Sequence, residues 1–284
     1  MTGLAALVVA AAPMNERIHV HYNTANLNLS VRLMNGEKDG DDLTKVYSSK
    51  SDSTQGIIVN PSQLGTSLLL GMNMVVGVTK KKDSTTENEI SIVSPVYCPL
   101  DFTEVDNTAV TVCSGGKDAW VYYLKGADAS SIKLYEYTLS DFSATKKADN
   151  DEILKGSSLA AYYDTDKEKR YVVYQAKDSN DLWEYCVNDD STTHLQNSNN
   201  AVKATPLGVV YSDEKVYLYY LSSSKKIERI KKESGSWGSS TALDKEADSA
   251  YQLSVVWSDA IPHVFYMPKG STDMAHFRDT KATS

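Results

Sequence analysis

What most limits the folds open to this chain is a repeat. Tyr174, Tyr220 and Tyr266 stand 46 residues apart, twice over. Each closes a short apolar stretch: Val172-Val173-Tyr174, Leu218-Tyr219-Tyr220 and Val264-Phe265-Tyr266. Each is preceded, across a polar turn, by a second apolar stretch: Leu159 to Tyr163, Leu207 to Tyr211 and Leu253 to Trp257. Upstream, Val110 to Cys113 leads to Val121-Tyr122-Tyr123, 51 residues before Tyr174. Leu4 to Val9 leads to Val20-His21-Tyr22, 101 residues before Tyr123. That interval has room for one more copy, and Leu68-Leu69-Leu70 followed by Val75 to Val78 fills it without the tyrosine.

Six copies result. After each tyrosine a turn leads to a third strand, as in Ile132 to Tyr137, Leu182 to Tyr185 and Ile227 to Ile230. A fourth strand is readable around Trp237 to Leu243. Short strands at even spacing predict an all-β chain, and a four-stranded unit repeated in a ring is a propeller blade. One such unit cannot bury both faces, so neighbouring units must stack to make the core. The expected fold is a six-bladed β-propeller, one domain, with blades near 1–64, 65–107, 108–156, 157–204, 205–248 and 249–284. The last copy ends after its third strand, Met274 to Arg278. Residues 36–64 form the longest connection, and the charged run Glu37 to Asp42 reads as an excursion on one rim.

Composition agrees. Eighteen Tyr against four Phe and four Trp favour strands, where the ring packs on a half-buried pleat and the hydroxyl stays wet. A net charge of −8 argues against a nucleic-acid partner, because such binding rests on Lys and Arg neutralising phosphates. The apolar run Gly3 to Pro13 is too short to span a bilayer and lacks the basic start of a signal peptide, so it reads as an innermost strand. No membrane partner is expected. A secreted or secretory-pathway setting, with any signal already removed, is the expectation for location. Asn28-Leu29-Ser30 is the usable glycosylation sequon, since Pro61 blocks the one at Asn60. Cys98, Cys113 and Cys186 are too few for a disulfide scaffold; a Cys98–Cys113 pair and three packed thiols both stay open.

The succession of a Leu-Ala-Ala-like strand, a Val-Tyr-Tyr-like strand and an Ile-x-Glu-like strand resembles the fungal fucose-specific lectins, which are six-bladed propellers. The resemblance runs over nearly the whole chain. It implies a sugar between adjacent blades, gripped by an Arg just before the Val-Tyr-Tyr core, a Glu two residues after the Ile, and a Trp beyond. Charged groups would hold vicinal hydroxyls while the ring covers the apolar sugar face. Here the Arg position reads His19, Val75, Trp120, Tyr171, Tyr217 and His263. The Glu position reads Val31, Ile92, Leu134, Glu184, Arg229 and His276, and only Trp237 stands at the tryptophan's distance. No copy carries the full set.

Nothing else in the sequence supplies catalytic machinery: P-loop, dinucleotide fingerprint, nucleophile elbow and His-Glu-x-x-His are all missing. His19 and His21 share a strand face without a carboxylate at ligand spacing, so neither a metal nor a cofactor is expected. The old sugar positions are instead rich in aromatic and histidine side chains, which suits a hydrophobic small molecule. The resemblance extends to glycosylated hetero-Diels–Alderases of the same fold group. It implies a cofactor-free cyclase that positions its substrate and polarises it by hydrogen bonds. On that reading Tyr217, Arg229, His263 and His276 are the catalytic donors, and His19, Trp120, Tyr171 and Glu184 bind substrate. The alternative is a lectin of the fucose-specific type with degenerate sugar sites and a glycan as partner.

Overall fold

The computed structural model describes residues 3–39, 43–47, 55–147 and 153–282. They form six antiparallel sheets, each a blade running outwards from an innermost strand. Blade 1 holds β1 (Leu4–Val8), β2 (Ile18–Asn23), β3 (Leu29–Met34) and β4 (Leu43–Tyr47). Blade 2 holds β5 (Leu64–Leu69), β6 (Met72–Lys80), β7 (Glu87–Ser94) and β8 (Cys98–Glu104). Blade 3 holds β9 (Val110–Gly115), β10 (Asp118–Lys125), β11 (Lys133–Thr138) and β12 (Ser143–Lys147). Blade 4 holds β13 (Ala160–Asp164), β14 (Lys169–Gln175), β15 (Leu182–Cys186) and β16 (Ser191–Leu195). Blade 5 holds β17 (Leu207–Ser212), β18 (Lys215–Leu221), β19 (Lys226–Glu233) and β20 (Ser236–Glu246). Blade 6 has three strands among the described residues: β21 (Ser254–Ser258), β22 (Ile261–Tyr266) and β23 (Ala275–Arg278).

The expected six-bladed propeller is therefore the observed fold. The run read as an innermost strand is β1, and the poorly matched second copy is a full blade whose inner strand starts four residues earlier than its leucine run suggested. Of the charged rim loop, Gly40, Asp41 and Asp42 lie outside the described residues.

The innermost strands touch in chain order, and β1 packs on β21 to close the ring. Closure is made by side chains as well as packing. Ser254 Oγ accepts the Ala6 amide at 2.8 Å. Gln252, just before β21, accepts the amides of Leu4 at 3.0 Å and Leu64 at 2.9 Å, and donates to the Leu64 carbonyl at 2.7 Å. Gln63 spans the central channel in the same way, accepting the Leu159 amide at 2.9 Å. Gln252 thus reaches past blade 1 to the start of blade 2, and Gln63 reaches past blade 3 to the start of blade 4.

Side chains alternate along each strand, so odd and even positions serve different clefts. On blade 3, Tyr123 and Tyr137 pack back onto blade 2, while Tyr122 and Leu134 pack forward onto blade 4. The repeat tyrosine is always the backward one. Tyr123, Tyr174 and Tyr220 are wholly buried and Tyr266 nearly so, each filling the cleft with the preceding blade. Tyrosine abundance is thereby explained as cleft filler.

Candidate functional site

The eight residues expected to form one site do not meet. They occupy five clefts around the ring. His19 faces blade 2, with its Nδ1 3.4 Å from Asn73 Nδ2. Trp120 lies between blades 3 and 4, stacked on Tyr163 at 5.7 Å with the Arg170 guanidinium 4.8 Å over its ring. Tyr171 and Glu184 share the cleft between blades 4 and 5. Tyr217 and Arg229 share the next, and His263 and His276 lie against blade 1. Three pairs are brought together; a common pocket is not.

Most of these groups are already engaged by partners. Glu184 accepts Lys232 Nζ at 2.5 Å and the Tyr162 hydroxyl at 2.5 Å, while that ammonium lies 4.5 Å over the Tyr171 ring. Burial, with the Glu184 carboxylate beside it, holds the Tyr162 phenol well above its ordinary pKa, so it stays a donor. Arg229 Nη1 is 2.6 Å from Asp279 Oδ2, which also accepts the Tyr219 hydroxyl at 2.9 Å. Tyr217 stacks on Trp257 at 5.3 Å.

Proton positions in the histidine pair follow from its neighbours. The Ser258 carbonyl, 3.1 Å from His263 Nε2, can only accept, so that nitrogen carries the proton. His263 Nδ1 then accepts from His276 Nε2 at 3.1 Å. Burial pulls His263 down to about 4, which keeps that ring neutral.

Register corrects the alignment at two blades. In blade 3 the partner of Tyr122 is Glu136, so Glu136, not Leu134, holds the acid position. In blade 2 the forward-facing residue is Met74, and Val75 points back to blade 1. Glu136 is the acid that sequence reasoning missed. It is almost fully buried and binds Arg170 Nη1 at 2.8 Å, the Tyr122 hydroxyl at 2.7 Å and Lys147 Nζ at 3.3 Å. Arg170 is one residue from the expected Arg position, and a one-residue step in a strand turns the side chain to the other face. It reaches backwards to the cleft of Trp120 and Glu136. An Arg, a Glu and a Trp do meet there, but as a closed ion pair under an indole.

The remaining sequence features take up these positions. Asn28 is half-buried and the Ser30 of its sequon is buried. All three cysteines are free thiols, Cys98 exposed and the other two buried. Among the described residues no group of three or more His, Cys, Asp or Glu could hold a metal. Among them, too, no helix is long and apolar enough to cross a membrane.

An open cavity of about 450 Å³ lies elsewhere, between blades 6 and 1. Tyr22, Asn23, Thr24 and Arg32 line it from blade 1, and Tyr251, Met267, Thr272 and Met274 from blade 6. It sits at the opposite rim from the lectin-like positions: Tyr22 pairs with Leu4 at the start of β1, His19 with Leu7 near its end. Two departures from the repeat create it. Tyr22 is the repeat tyrosine, but here it is only half-buried and forms a wall. Arg32 occupies the strand position held by Tyr137, Tyr185, Ile230 and Phe277 in blades 3 to 6, each packed in a core. A guanidinium thus replaces an apolar side chain.

That guanidinium lies 5.6 Å from the Tyr22 ring centroid, and among the described residues it has no hydrogen bond or ion pair. Beside it Asn23 is 4% exposed, and its Oδ1 has no partner among the described residues. The volume falls within the range of about 300–1,000 Å³ usual for small-molecule sites.

A scan against protein-family models finds none that matches this chain. Among curated proteins, the wall-associated proteinase of Coccidioides immitis (strain RS) is 28% identical over 137 residues. The match takes in 44% of this chain and 43% of that protein, so the chain spans less than half the length of the curated relative. Solved structures align along the whole ring. The Aleuria aurantia lectin matches with a TM-score of 0.73 at 14% identity, covering 100% of this chain and 93% of that one. The SapL1 lectin in complex with alpha methyl fucoside gives 0.69 at 9%, over 99% and 93%. AofleA from Arthrobotrys oligospora gives 0.65 at 13%, over 98% and 83%. The scaffold of this chain is thus the six-bladed propeller found in fungal fucose-specific lectins.

Proposed function

We propose that this chain is a carbohydrate-binding propeller that takes a glycan residue in the cleft between blades 6 and 1. The observation that carries this reading is Arg32, a guanidinium that has no ionic or hydrogen-bonding partner among the described residues. It is set against a half-buried tyrosine where other blades have sealed cores. An aromatic wall, a charged donor and two threonine hydroxyls are the means by which proteins hold a sugar ring. The methionines supply an apolar floor.

Three other clefts, at the lectin-like positions, are closed by Arg170–Glu136, Lys232–Glu184 and Arg229–Asp279. A sugar entering there would have to displace a buried ion pair, which is strongly unfavourable. The cyclase reading needed Tyr217, Arg229, His263 and His276 to converge on one substrate, and they sit in two clefts bound to other groups. The curated relative is named as wall-associated, and cell walls are rich in carbohydrate, which accords with glycan binding outside the cytoplasm.

Glycan-array binding of the intact protein tests the reading. Tyr22→Ala should reduce binding at least tenfold, whereas Trp120→Phe should leave it unchanged. Loss with Trp120→Phe and retention with Tyr22→Ala would move the site back to the lectin-like cleft.

A further inference from the structure

We infer that the sugar taken by the blade 6–blade 1 cleft carries a carboxylate; this rests on the reading of that cleft as the glycan site. The chain has five arginines, Arg17, Arg32, Arg170, Arg229 and Arg278. Four are committed. Arg17 pairs with Asp259, Arg170 with Glu136 and Arg229 with Asp279, and Arg278 donates to the Glu37 carbonyl at 2.6 Å. Among the described residues Arg32 alone has only an aromatic ring beneath it. No Asp, Glu or Lys is among the described residues that line the cavity, so its wall carries one uncompensated positive charge.

A neutral sugar would leave that charge facing hydroxyl dipoles. A carboxylate would cancel it and fit the planar guanidinium fork with two parallel hydrogen bonds. The Tyr22 ring flanks the guanidinium on one side, with its centroid 5.6 Å from Cζ. Thr24 and Thr272, which line the cavity, can serve the sugar's ring hydroxyls. Hexuronic acids and sialic acids share this chemistry: a carboxylate on a ring with neighbouring hydroxyls.

Recognition must be local, because the net charge of −8 repels polyanions at long range. A merely basic surface would behave differently and bind sulfated polymers. Here the attraction comes from one group within a cleft of opposite overall field.

Calorimetric titration of the whole protein provides the test. The probes are methyl glucuronide, methyl galacturonide and N-acetylneuraminic acid, each against methyl glucoside, galactoside and fucoside, with dextran sulfate as polyanion control. The acidic sugar should bind at least tenfold more tightly than its neutral counterpart, and dextran sulfate should not compete. Arg32→Gln should erase that preference, bringing the acidic sugar down to the affinity of its neutral counterpart, and Arg32→Lys should restore part of it. The acid that binds best identifies the ring type. Equal affinity for acid and neutral sugars, with Tyr22→Ala still losing both, would overturn the carboxylate and leave the cleft standing. No effect of Tyr22→Ala on any sugar would overturn the cleft itself.

Discussion

Replacing Lys232 by Met should destabilise the fold by an amount that reveals what the cleft between blades 4 and 5 is for. Methionine keeps most of the apolar stem and removes the ammonium. Glu184, with a side chain 2% exposed, would then be left with one remaining donor, the Tyr162 hydroxyl. Breaking a buried pair from one side costs about 3–5 kcal/mol. For a domain of this size each kcal/mol lowers Tm by about 2 °C, so a fall of ~6–10 °C is expected. Glu184→Gln alone leaves the ammonium buried and should cost a similar amount. The double variant has neither charge, and the amide oxygen introduced by Glu184→Gln can still accept from Tyr162. Recovery of at least half the loss, with a coupling of ~2–3 kcal/mol in the cycle, is predicted. Scanning calorimetry and urea unfolding measure it. A loss below about 1 kcal/mol for Lys232→Met, or additive single effects, would refute the idea that these charges lock the cleft.

Other outcomes follow from the same geometry. Arg170→Met should cost less, about 1–3 kcal/mol in urea unfolding, because Lys147 stays 3.3 Å from Glu136. His21 and His263 are both pulled by burial to about 4, from 6.5, so between those values the unfolded chain takes up protons that the folded chain refuses. Stability should therefore be full above pH 6.5 and fall as pH drops towards 4, by about 3 kcal/mol for each histidine. His21 has two buried ring nitrogens without partners among the described residues, so His21→Phe should match or exceed the parent's Tm at pH 7 and flatten the acid limb. A parent Tm that does not change from about pH 7 to about pH 4.5 would contradict this. Native protein should react with one equivalent of a thiol reagent, at Cys98, and with three after unfolding, since Cys113 is buried and its thiol is pushed up to about 12.

The ring was readable in the sequence because a strand pair that must stack on its neighbours repeats its tyrosine at a fixed interval. Blade 2 was faint because β6 carries Val76, Gly77 and Val78 where the others have tyrosine, yet the spacing still demanded a blade. The site was far less legible. Comparison with lectin positions needs the face as well as the residue, and one step along a strand reverses the face. Arg170 stands one residue from the expected Arg position and for that reason serves the preceding cleft. Glu136 was missed because Ile132 matched the isoleucine of the third-strand pattern, whereas Leu134 is the residue that pairs where Leu182 does in blade 4, which sets the acid two residues further on. Arg32 did leave a signal. It is the one charged residue in a column that reads Tyr137, Tyr185, Ile230 and Phe277 in the later blades, visible only once copies are compared with each other rather than with a motif.

The central claim is that the ligand enters the cleft between blades 6 and 1 while the lectin-like clefts stay shut. A crystal structure grown with a saturating uronic-acid disaccharide tests this most directly. Sugar density should stack on Tyr22 within hydrogen-bonding distance of Arg32, with the Lys232–Glu184 and Arg170–Glu136 pairs intact. Density beside Trp120 or Glu184, with either pair broken and the Tyr22 cleft empty, would contradict it.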